Sequence, residues 1–163
     1  MDDEETLTAY HEAGHAVIGY ALGARIKRIQ LGGQADDHLL DRFGDCLVNW
    51  GPVNEFCNWQ RQRELMTILA GPVAEMIYTG EPYHPAHHGP FQGDWQQAWN
   101  HCAGAVSDPK RRTVLLEQLL RELHQRMSAD LCWAAIAAVA DELLAHEYLE
   151  EEQLIDTLRF WIR

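Results

Sequence analysis

Apolar residues recur at helical spacing from about Glu4 to Leu22, where Leu7, Ile18 and Leu22 keep step with His11 and His15. Gly23 is placed to stop that helix. Ile26, Ile29 and Leu31 then predict a short strand ending at Gly32-Gly33. After a polar stretch with Asp36-Asp37, the run Gly44 to Trp50 reads as a second strand, and the two make a hairpin with a long loop. From about Asn58 to Thr79, Leu65, Ile68, Leu69, Val73, Met76 and Ile77 restore the helical period. Pro72 inside that run is expected to kink or split it. Gly80 to Gly93 holds Pro82, Pro85 and Pro90 and reads as a loop. Asp94 to about Val106 is helical again. Ser107-Asp108-Pro109 then opens a helix that carries Leu115, Leu116, Leu119, Leu120 and Leu123. An alanine-rich helix follows from about Ala129 to His146, and a short one from about Glu151 to Trp161. There is no internal repeat and no linker. The pattern predicts one domain over residues 1–163, mainly α-helical, with one small β-hairpin.

Charge narrows the function. The chain has 25 acidic and 13 basic residues, a formal charge of −12 with histidine neutral. A nucleic-acid binder needs a basic face, and so does a protein held on anionic membranes. Neither partner suits this chain. Hydrophobic content of 47% is too high for a disordered chain. No window approaches the ~18 uncharged apolar residues of a membrane span. The opening Met1-Asp2-Asp3-Glu4-Glu5 is the opposite of a signal peptide's positive start. The expectation is a soluble, cytoplasmic protein. Cys46, Cys57, Cys102 and Cys132 form no C-x-x-C pair, so buried free thiols are expected.

The nine histidines carry the chemistry. Tyr10-His11-Glu12-Ala13-Gly14-His15 contains H-E-x-x-H on a predicted helix. One turn apart, His11 and His15 lie about 40° from each other round the axis, so both imidazoles reach one metal ion. Glu12, about 100° round from His11, is poorly placed as a ligand but can reach water activated at a zinc ion. Two histidines four apart can also be plain helix-surface neighbours. Gly14 and Gly19 argue for more, because a mid-helix glycine costs about 1 kcal/mol against alanine and marks a close approach. Candidates for a third zinc ligand are Glu75, Asp94 and the loop histidines His84, His87 and His88. Each has a plain alternative: Asp94 as an N-cap, Glu75 as a solvated helix residue, the histidines as surface residues.

Here the sequence resembles a family. Tyr10 to Ala16 looks like the zinc motif of the FtsH-type ATP-dependent metalloproteases. Ala70-Gly71-Pro72-Val73-Ala74-Glu75-Met76-Ile77, with Gly80, is similar to that family's A-G-R-x-A-E-E-x-x-x-G helix. Gly93-Asp94-Trp95-Gln96-Gln97-Ala98 is similar to its S-N-D-[LI]-x-x-A segment, whose aspartate is the third zinc ligand. Ala138 to Leu154 is similar to its C-terminal A-x-x-L-L-x-x-E-x-L region. Pro72 stands where the family has arginine, Met76 replaces its second glutamate, and Gln92-Gly93 replaces Ser-Asn. The 163 residues contain no G-x-x-x-x-G-K-[ST].

The resemblance implies a zinc metalloendopeptidase domain without its own ATPase module or membrane anchor. His11, His15 and Asp94 would bind Zn2+, and Glu12 would act as general base and then acid. Glu75 would orient a ligand histidine, and the strand Ile26 to Leu31 would pair with an extended polypeptide substrate. A separate ATPase or unfoldase partner and a homo-oligomer are both compatible with it. Two rival expectations are a non-catalytic zinc-binding or assembly module derived from a peptidase, and a ligand-binding helical domain with an accidental motif and no metal.

Overall fold

A computed structural model of the chain describes residues 4–32, 45–54 and 57–162. Met1 to Asp3, and Gly33, Asp36, Asp37 and Gly44 of the expected hairpin, lie outside the described residues. The described elements run α1 (Glu4–Ala21), β1 (Arg25–Gln30), β2 (Asp45–Asn49), α2 (Asn58–Thr79), a short 3-10 turn (Gly89–Phe91), α3 (Gln92–Cys102), α4 (Pro109–Met127), α5 (Asp130–His146), β3 (Tyr148–Glu150) and α6 (Glu151–Trp161). The protein is mainly α-helical with a small antiparallel sheet. Among the described residues, no helix is long and apolar enough to cross a membrane.

Local chemistry sets most boundaries. α1 stops where Gly23 takes a φ of 103°, and the N–H of Ala24 donates to the carbonyl of Gly19 at 2.9 Å. α2 stops at Gly80, with a φ of 76° and its N–H on the Met76 carbonyl. Pro109 opens α4 at its first position, although Asp108 makes no side-chain cap bond. Glu150 and Gln153 form a reciprocal capping box at the start of α6.

The structure corrects four expectations. Pro72 does not split α2, which runs unbroken from Asn58 to Thr79 with the proline buried inside it. A proline removes only one backbone donor, and packing on both sides holds the rest of the helix. The sheet has three strands rather than two. β3 is too short to show a period, and forms because the chain between α5 and α6 returns alongside β1, pairing Ile29 with Leu149. Strand order is therefore β2-β1-β3, so β1 is central and paired on both sides. It has no free edge for a substrate. Finally, only Cys102 of the four free thiols is fully buried.

The core joins α1, α2, α4, α5 and the sheet through Val17, Ile29, Leu69, Leu116, Ile136 and their neighbours. The tightest contact is between α1 and α2. A Cβ on Gly14 would meet the Ala70 carbonyl oxygen at 2.5 Å and the Ala74 Cβ at 2.8 Å. On Gly19 it would meet Ile26 Cδ1 at 3.0 Å. Helix axes approach this closely only where side chains are missing. Gly14→Ala is therefore expected to destabilise the fold by about 1–3 kcal/mol despite its better helix propensity. Thermal unfolding followed by circular dichroism checks this, and an unchanged or raised Tm would contradict it.

Candidate metal centre

The α1–α2 contact turns His11 and His15 toward α2 and α3. The Nε2 of His11 lies 2.7 Å from Asp94 Oδ2, and the Nε2 of His15 lies 3.4 Å from the same oxygen. The opposite ring nitrogens are also held. Nδ1 of His11 meets Glu75 Oε2 at 2.6 Å, and Nδ1 of His15 donates to the Thr67 carbonyl at 2.8 Å. A ligand atom from each of His11, Glu12 and His15 lies within 4.8 Å of the others. Both imidazoles are only 13% exposed.

The tautomers follow from the partners. A carbonyl only accepts, so Nδ1 of His15 carries a proton and its neutral ring turns an Nε2 lone pair toward Asp94. Glu75 likewise accepts from Nδ1 of His11 when it is ionised. Two lone pairs and a carboxylate oxygen then converge on one point. That arrangement is stable only with a cation there, or with extra protons on the imidazoles. The space is also provided. A Cβ on Gly71 would sit 2.7 Å from His11 Nε2 and closer still to His15 Nε2. The residue of α2 facing the imidazole tips is thus one without a side chain. Nitrogen and carboxylate donors, both rings oriented by outer hydrogen bonds, and this cradle fit a zinc ion.

Asp94 is not an N-cap. α3 begins at Gln92, capped by Phe91, which puts Asp94 in the first turn with its carboxylate free to face the histidines. Glu75, 2% exposed, lies on the Nδ1 side of His11, where it orients the ring rather than completing the donor set. The loop histidines are elsewhere. His84 packs edge-on to Trp95, and His88 stacks on Tyr83 and touches Phe91, which itself lies over His11. None of them lines the cleft that contains His11 and His15.

Charges in the site are strongly coupled. Burial pushes the Asp94 carboxyl up, but the imidazoles of His15 and His11 outweigh it and hold it well below the usual range. Burial pulls His15 down, and the Asp94 carboxylate more than reverses that. Burial raises the Glu12 carboxyl, with the two histidines only partly opposing. Burial also drives the Cys46 thiol well up, beside the carboxylates of Glu12, Asp45 and Asp94, so it is a poor nucleophile.

A cleft of about 610 Å³ opens over these residues. Its walls come from α1, α2, α3 and from Asp45, Cys46, Leu47 and Val48 of β2. Sequence reasoning missed Gly71 as the cradle, the Thr67 carbonyl, and the far wall formed by Glu64, Gln97 and His101. Gly71 could have been found by the same mid-helix glycine argument that singled out Gly14. Comparison with known proteins finds no matching family model and no matching curated relative.

Purified protein stripped by chelation and retitrated is expected to take up one zinc ion per chain. His11→Ala and His15→Ala should each weaken uptake by more than about 100-fold. Gly71→Ala should weaken it as well, by placing a methyl group between the imidazoles. Competition with a chromogenic chelator reads all three, and full zinc affinity in either histidine variant would remove the site.

Proposed function

We propose that the protein is a zinc-dependent metalloendopeptidase that hydrolyses unfolded or flexible polypeptides. The observation that carries this reading is the buried Glu12, 6% exposed, set beside the His11–His15–Asp94 cluster and lining the open cleft. Glu75 already orients a ring from the far side of His11, and Glu12 faces the open cleft, where a carboxylate can serve a bound water. The sequence resemblance to the FtsH-type peptidases supports the same reading.

His11, His15 and Asp94 would hold the zinc, with Glu75 and the Thr67 carbonyl fixing the two rings. When bound, zinc supplies Lewis acidity that brings the pKa of water down to about 7. Glu12 accepts the proton of the attacking water and returns it to the leaving amine. Its burial raises its basicity toward the working pH, which favours both transfers.

Substrate binding falls to β2 rather than β1. Side chains alternate along a strand, so four consecutive residues reach one cavity only when the strand lies edge-on to it. Among the described residues, no strand pairs with the outer edge of β2. An extended polypeptide added there would lie along the cleft. A folded substrate resists such extension by its whole stability, about 5–15 kcal/mol, so folded proteins would need a separate unfoldase.

Glu12→Gln is expected to retain zinc and lose about 100- to 10,000-fold in hydrolysis of an unfolded protein. The parent should cleave an unfolded polypeptide and spare its folded form. Cleavage by Glu12→Gln at the parent's rate would eliminate Glu12 as the base. No cleavage by zinc-loaded parent would eliminate the peptidase.

A further inference from the structure

The cleft does not end at the metal centre. Glu64 precedes Gly71 by seven residues in α2, and His101 follows Asp94 by seven in α3. Each interval is two helical turns, about 10 Å. The two helices therefore run antiparallel along the cleft, and they meet again at its far end, where His101 Nε2 lies 2.8 Å from Glu64 Oε2. Ile68, between Glu64 and Gly71 in α2, lines the interval between the two ends, and Trp50 also lines the cleft.

The charge of this cavity is one-sided. Among the described residues, Glu12, Asp45, Glu64, Glu75 and Asp94 line it and no lysine or arginine does. Of the two nearby arginines, one offsets a carboxylate of the cavity wall and the other lies over an aromatic ring of it. Arg28 pairs with Asp45 at 3.2 Å, and Arg63 stacks on Trp50 and Trp59 while donating to the Leu22 carbonyl. A divalent ion at the metal centre offsets only part of this charge, and at the opposite end from Glu64. His101 can donate to Glu64 as a neutral ring, which leaves the carboxylate charge in place.

We propose that the Glu64–His101 end of the cleft is a subsite for a lysine or arginine side chain of the substrate, which rests on the peptidase reading of the metal centre. An extended chain advances about 3.3 Å per residue, so this side chain belongs about three residues from the bond that is cut. Its aliphatic stem lies against Ile68, and its cationic head meets the Glu64 carboxylate. The other carboxylates repel acidic substrates from the same channel, which sharpens the choice. Glu64 acts on specificity and does not touch the reacting atoms.

The test uses the zinc-loaded Glu12→Gln protein and short fluorescein-labelled peptides. Each peptide is neutral except for one Lys, Gln or Glu, walked along the sequence and read by anisotropy. At the favoured position Lys should bind about tenfold tighter than Glu, with Gln between, and added salt should shrink the ratio. Glu64→Gln should reduce the ratio to about twofold, whereas the remote Glu142→Gln should leave it unchanged. Equal affinities throughout the walk would overturn the subsite, as would a Lys preference that Glu64→Gln does not reduce. Equal affinities in the Glu12→Gln background overturn the subsite even if the Glu64 variant fails to fold. Cleavage of the same peptides by the parent is scored separately. A binding preference without hydrolysis supports the subsite and removes the peptidase.

Discussion

The close approach of α1 and α2 governs everything else in this molecule. Gly14 admits the Ala70 carbonyl, and Gly71 in turn leaves open the space before both imidazoles. Each helix gives up a side chain where the other needs room. A glycine inside a helix costs about 1 kcal/mol, and the contact returns this through buried surface from Ala13, Val17, Leu69 and Val73. Tyr10, stacked on Tyr78 and Trp133, ties the same two helices to α5. With both helices fixed, His11 meets Glu75 and His15 meets the Thr67 carbonyl. The ring orientations then follow from packing.

The same geometry concentrates like charge. Glu12, Glu75 and Asp94 lie together around two histidines in a largely buried setting, an arrangement with a high electrostatic cost. Proteins keep such clusters where an ion or a reaction uses them. The acidity of Asp94 and the raised carboxyl of Glu12 mark a division of labour in one cluster. Asp94 stays ionised against the imidazoles, while Glu12 sits off the nitrogen donors, buried and more basic. The proposed roles, metal ligand for Asp94 and proton carrier for Glu12, would need these opposite settings.

In the proposed peptidase, substrate recognition would be spread over a longer distance than catalysis. The edge of β2 offers backbone groups in an extended register, which suits any sequence. Side-chain choice would then fall to the walls of the cleft, where α2 and α3 bring Glu64 and His101 together about two turns from the candidate metal centre. Under the proposed peptidase reading, division between a sequence-blind edge and a selective far end would let one fold accept many polypeptides while ranking them by charge.

Much of the architecture was legible in the chain itself. Helical periodicity located α1, α2, α4, α5 and α6 to within a residue or two, since period and caps are local properties. Glycine after α1 and α2, and Asp108-Pro109 before α4, marked ends by backbone chemistry alone. The His11–Glu12–His15 spacing likewise fixed a metal-competent helix face, because i and i+4 are neighbours in any α-helix. What only the tertiary structure decided lies far apart in the chain. Glu75 and Asp94 meet His11 across 64 and 83 residues, and Glu64 meets His101 across 37. The central place of β1 depends on β3, three residues long and returning from the far end of the chain. Such pairings depend on which helix faces fit together at full packing density, and no local period carries that information.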